Sequence, residues 1–170
     1  MLRIPVIYVR GKQAFSKEEG ILRLLGKSAD VARDFAEQGV KLIHIIDEEA
    51  RDTSPNFDVY DSLTTFMNIE VECRTKSFAM RLVAIKARAV VRLPAEFSLD
   101  DFSDDERLMV GLIGSSYSGS VDGVHDLTME DADDSAVEKF SKTKKRLIVY
   151  KKDYEKLKTE NKKKIWGVLE

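Results

Sequence analysis

Asp47 closes an apolar run, Leu42-Ile43-His44-Ile45-Ile46, inside the stretch GVKLIHIIDEEA from Gly39 to Ala50. A carboxylate at the C-terminal end of a buried strand stands where α/β proteins place their chemistry, and can take a proton or orient a ligand. The alternative is that it caps the loop that follows. Lys12 and Arg74 each follow another strand-like run and would share that end, either holding an anion or simply facing water. His44 lies within the apolar run and reads as a hydrogen-bonded core or interface histidine. Cys73 has Arg74 beside it, which would lower a thiol pKa, but no histidine is placed to partner it. His125-Asp126 would suit an oriented base, yet neighbours on a strand point to opposite faces, so no dyad is expected there. Gly119-Ser120-Val121-Asp122-Gly123 lacks the strand–turn–helix setting of a phosphate loop, and Gly114 to Ser120 reads as a hinge or lid.

The elements that must position these residues follow from periodicity. Arg3–Val9 is β-branched and reads as a strand, with Pro5 near its start where a missing N–H costs least. Gln13–Lys27 is mixed and carries Gly20 and Gly26, so a loop with at most a short helix is expected. Ser28 is the expected N-cap of a helix that carries Val31, Ala32, Phe35 and Ala36 and ends at Gly39. Lys41–Ile46 is apolar on both faces, as a covered parallel strand is. A helix with Val59, Leu63 and Phe66, a strand Ile69–Cys73, a helix capped by Ser77 and a strand Ala89–Leu93 complete a βαβαβαβ half over residues 1–94. Residues 95–170 are more degenerate. They offer a short acidic helix Ser98–Glu106, strands Leu108–Ile113 and Val121–Leu127, and a helix Asp131–Phe140. A strand Arg146–Tyr150, a lysine-rich helix Asp153–Lys163 and a strand Ile165–Leu169 follow.

Composition narrows the class. With 43% hydrophobic residues over 170 positions the chain supports one domain with a real core. A single cysteine excludes a disulfide framework or a multi-cysteine metal site and fits a reducing, cytoplasmic setting. The N-terminus enters a strand pattern directly and no apolar run spans a bilayer, so neither a signal peptide nor a membrane role is expected. Glu96–Glu138 holds thirteen acidic residues and one basic, whereas Lys142–Lys164 holds eleven basic and three acidic. Such segments either face water or attract one another, within a chain or between subunits. The basic segment lacks nucleic-acid recognition spacing, so no nucleic acid is expected.

IPVIYVRGKQAF, FAEQGVKLIHIIDEEA and IEVECRTKSFAMRLVAIKARAVVRLP together resemble the first half of the phosphoribosyl isomerase and cyclase barrels of histidine biosynthesis. Gly39, Leu42, His44, Ile45, Asp47 and Ala50 match that family's second-strand motif. The resemblance implies a TIM-barrel-like (β/α) parallel barrel, truncated or degenerate, with some crossover helices missing. A full barrel takes about 200 residues or more. The departures are systematic. The family's first catalytic aspartate falls on Tyr8, its triple-glycine phosphate turn on Glu72-Cys73-Arg74, and its Gly-Thr on Leu93-Pro94. No second catalytic aspartate follows LMVGLI, and no Ser-Gly-Gly follows RLIVY. The resemblance therefore implies a divergent protein without the parental isomerase or cyclase activity, a binding or oligomeric scaffold with no catalytic residue, metal or cofactor. Its alternative is altered chemistry on a sugar phosphate or other small anion, using Tyr8, Lys12, Asp47 and Arg74 at the barrel mouth. Expected partners are a second copy or another protein, docked on strands Leu108–Ile113 and Ile165–Leu169, or a small phosphorylated metabolite.

Overall fold

Strands and helices alternate through most of the computed structural model, which describes Met1–Glu170. In chain order the elements are β1 (Leu2–Ile4), β2 (Val6–Arg10), β3 (Gln13–Glu18), β4 (Ile21–Lys27), α1 (Ser28–Glu37), β5 (Leu42–Asp47) and α2 (Phe57–Leu63). They continue with β6 (Asn68–Cys73), α3 (Lys76–Ala84), β7 (Arg88–Arg92), a 3₁₀ segment (Leu99–Leu108), β8 (Met109–Gly114) and β9 (Asp126–Glu130). The last are α4 (Asp134–Ser141), β10 (Arg146–Tyr150), α5 (Lys151–Tyr154), α6 (Thr159–Lys162) and β11 (Ile165–Leu169). The fold is mixed α/β with eleven strands, mostly parallel. No helix is long and apolar enough to cross a membrane. Two compact units are present: Ile4–Ala89, and Val90–Glu170 with Met1–Arg3.

In the first unit the strand order is β6-β5-β2-β3-β4. β2, β5 and β6 run parallel, with Val9 opposite Asp47 and Ile45 opposite Val71. Side chains alternate across a strand, so Ile7, Val9, Ile43, Ile45, Ile69 and Val71 share one face. All six are buried, as are Val31, Ala32, Tyr60, Leu63, Phe78 and Leu82 from the helices. Tyr8, His44, Glu70 and Glu72 belong to the opposite face. Gln13–Lys27 is not the expected loop. It is the antiparallel hairpin β3–β4, turned at Glu19-Gly20, both with positive φ. Ser28 is the first helical residue and not the N-cap; its hydroxyl donates to the Lys12 carbonyl at 2.9 Å. α1 ends as expected: Gly39, at φ +85°, donates to the Ala36 carbonyl and Val40 to that of Phe35, the paired bonds of a Schellman close. Thr75, and not Ser77, caps α3, accepting from the Phe78 N–H.

In the second unit β1-β11-β10-β9-β8 lie side by side, with β8 through β11 parallel. The expected strand Val121–Leu127 begins only at Asp126, because Gly123 turns the chain at φ +85° against Leu99. The acidic helix is a 3₁₀ segment, and the lysine-rich helix is two four-residue turns, α5 and α6. The proposed docking strands must be corrected. Met109, Val110, Leu112, Ile113, Ile165, Val168 and Leu169 are all buried in the core, so they offer no surface to a partner. The acidic and basic segments meet within the chain. Arg146 pairs with Asp126 and Lys152 with Asp131, and the buried Asn161 amide donates to Asp134 at 2.7 Å.

Candidate functional site

Gly11-Lys12, Asp47 and Arg74 lie just at or beyond the C-terminal ends of β2, β5 and β6, as the parallel registers require. Asp47 is engaged from four directions. It accepts from Ser54 Oγ, from Tyr60 Oη at 2.5 Å, from Asn56 Nδ2 at 3.1 Å and from the Glu49 N–H at 2.8 Å. Ser54, Asn56 and Tyr60 are themselves buried. Asn56 then reaches the neighbouring loop, accepting from the Lys12 N–H at 2.8 Å while donating to Glu49. Glu49 in turn accepts from the Gly11 N–H, and these bonds hold its carboxyl below the usual range. The residues around Asp47 thus tie the β5–α2 loop to the β2–β3 turn. Burial first, then the hydrogen bond to Asp47 and its charge, push the Tyr60 phenol far above its ordinary pKa, so it stays a donor.

The other three residues read from the sequence are less engaged with Asp47. Lys12 Nζ turns to Asp58 at 2.7 Å, both exposed. Arg74 is exposed just past β6. Tyr8 is half-buried on the opposite face with Lys17 Nζ 5.1 Å from its ring centre. Burial, then Glu72 and Glu48, raise its phenol pKa, so it does not ionise at neutral pH. Cys73 does not become reactive beside Arg74. Burial, then Glu72, push its thiol up to about 12.

A second polar cluster lies on the face that carries Tyr8. His44 is wholly buried between two carboxylates: Nδ1 lies 2.7 Å from Glu70 Oε1 and Nε2 2.9 Å from Glu72 Oε1. Arg88 Nη2 stands 3.6 Å from Glu70 Oε2. Burial opposes charge on the ring, but the two carboxylates outweigh it and push His44 up to about 9. The buried His44 and Glu70 thus have opposite charges beside them, Glu72 at the partly exposed edge and Arg88 nearly buried, the condition under which a buried charge survives.

No protein-family model matches the chain, and no curated protein matches it. The reading of the site therefore stands on its own residues. No group of three or more His, Cys, Asp and Glu side chains is placed to hold a metal ion. Ser54, Asn56 and Tyr60 were not singled out in the sequence, because polar residues in a loop and one helix carry no spacing that joins them to Asp47. Glu70 and Glu72 did leave a signal: their period of two sets both on one face of β6, beside the histidine of β5.

His125 and Asp126 do meet, contrary to the expectation from strand alternation, because His125 precedes β9 and does not belong to it. His125 Nδ1 is 2.8 Å from Asp126 Oδ1. Arg146 forks onto both oxygens of the buried Asp126 at 2.7 and 2.8 Å and stacks 3.7 Å from the Trp166 ring centre. This group sits at the N-terminal ends of β9, β10 and β11, the end of parallel strands associated with stability. Arg146→Lys loses the two-pronged geometry and the stacking. It should cost roughly 2 kcal/mol in urea unfolding.

Proposed function

We propose that this chain is a divergent relative of the phosphoribosyl isomerase and cyclase barrels, trimmed in its second half, that acts by binding and not by turnover. The (β/α) reading is supported within the first unit by β2, β5 and β6, which run parallel, with α1 and α2 lying between them in the chain. Short connections, such as the turns α5 and α6, stand where full crossover helices would be.

The observation that carries the loss of turnover is the Asp47 carboxylate. It is the acidic group that matches the family's second-strand motif, and its oxygens are occupied by Ser54, Asn56, Tyr60 and Glu49 of its own chain. A general base needs a free lone pair within hydrogen-bond reach of substrate. Tyr8, where the family's first catalytic aspartate falls, is a phenol with its pKa raised. The ligand class this reading expects is a small phosphorylated metabolite, met by the exposed Arg74.

Purified protein incubated with the phosphoribosyl substrates of the isomerase and cyclase reactions should show no turnover above background. Ribosyl phosphates should still raise its melting temperature, since a ligand that favours the native state stabilises it by mass action. Turnover that Tyr8→Phe abolishes would overturn the proposal in favour of altered chemistry at the same end.

A further inference from the structure

β4 is the outermost strand of its unit, paired on one side only, with β3. Its sequence is ILRLLGK, and Ile21, Leu24 and Leu25 are 66, 59 and 46% exposed. Exposed edges in soluble proteins are normally kept short or interrupted by charge and proline, because their free N–H and C=O groups template another strand. β1, at the other end of the strand order, is three residues long. β4 has seven, with no proline and, before Lys27, one charge, Arg23. An apolar edge of that length is unusual on a protein that stays alone.

We propose that β4 pairs antiparallel with β4 of a second copy of this chain, joining the two hairpins into one continuous sheet across a two-fold axis. The strand is complementary to itself. A two-fold axis perpendicular to the sheet keeps each side chain on its own face, so residues of equal parity stand opposite one another. The register centred on Arg23 sets Leu22 of each chain opposite Leu24 of the other, within the regular stretch of the edge. Arg23 is the one residue that meets itself, and its charge is already answered within the chain by Glu18 at 3.3 Å. The ladder to β3 passes from Phe15 opposite Leu24 to Ala14 opposite Gly26, so Leu25 is the extra residue of a bulge. The regular pairing edge therefore runs from Ile21 to Leu24. Apolar cross-strand pairs of this kind favour one register over its slips. Because the contacts are made by the hairpin, the pairing holds whatever the ancestry of the chain.

Sedimentation of the whole protein at tens of micromolar should give a dimer that persists at high salt, since apolar contacts are not screened. Leu24→Lys, at an exposed position, should give a monomer that still unfolds cooperatively in urea, at a midpoint that no longer depends on protein concentration. Arg23→Cys should form an intermolecular disulfide on mild oxidation, because the two copies of that residue face each other across the axis; the native Cys73 is buried. A monomeric wild type, a Leu24→Lys variant that remains dimeric, or an Arg23→Cys variant that fails to cross-link would each overturn the proposal.

Discussion

Between pH 6.5 and pH 9 the protein should lose on the order of 3 kcal/mol of unfolding free energy, and His44 is the cause. Its folded pKa of about 9 lies above the ordinary 6.5, so the folded state holds a proton that the unfolded chain releases. The contribution is fully present below about 6.5 and is lost as the pH rises through about 9. Across that interval each pH unit removes about 1.4 kcal/mol. Cys73 adds a slope of the same sign only above about 9, where an unfolded thiol ionises and the buried one does not. Urea unfolding at half-unit steps from pH 6 to 9 reads the slope directly. Glu70→Gln removes one of the two carboxylates that keep the ring charged, and should flatten it. Glu70→Ala should be costlier, roughly 3–5 kcal/mol at pH 7, since it leaves His44 and Arg88 buried without their shared anion. A wild-type midpoint that stays level from pH 6.5 to 9 would mean that His44 is neutral between its two neighbours.

That cluster also marks how far the sequence could be read. Apolar runs such as Leu42–Ile46 and the Gly39 terminator are local signals, and the structure bears them out because each depends only on residues a few positions away. The β3–β4 hairpin was less legible. An edge strand has no second neighbour to impose strict alternation, and ILRLL fits either period. Asp126 shows a third kind of difficulty: Gly123, a turn residue, moves the start of β9 by five positions from the expected Val121 and frees His125 from strand geometry. The site itself was half legible. Asp47, Lys12 and Arg74 could be set at one end from strand direction alone. Which donors fill the Asp47 lone pairs could not, because Ser54, Asn56 and Tyr60 reach it through the path of a loop that no periodicity records.

Removing the Asp47 carboxylate should therefore be among the most destabilising single changes in the chain. Asp47→Ala leaves the buried hydroxyls of Ser54 and Tyr60 and the amide of Asn56 without their acceptor. Each stranded buried donor costs about 1–3 kcal/mol, and partial relaxation brings the expected loss to roughly 3–5 kcal/mol. For a domain of this size that is a fall of about 10 °C in melting temperature. Tyr60→Phe should cost less, about 1–2 kcal/mol, because the deleted hydroxyl strands nothing and Asp47 keeps three other donors. Lys12→Ala breaks only the exposed pair with Asp58 and should leave the melting temperature unchanged, since the Lys12 bond that ties the loops comes from its backbone N–H. This ordering separates a fastener from a functional carboxylate. A group kept for catalysis or ligand binding is typically held against stability, and its removal is neutral or stabilising. If Asp47→Ala melts at or above the wild-type temperature, the carboxylate is available to a ligand, and the case against turnover at this end loses its main support.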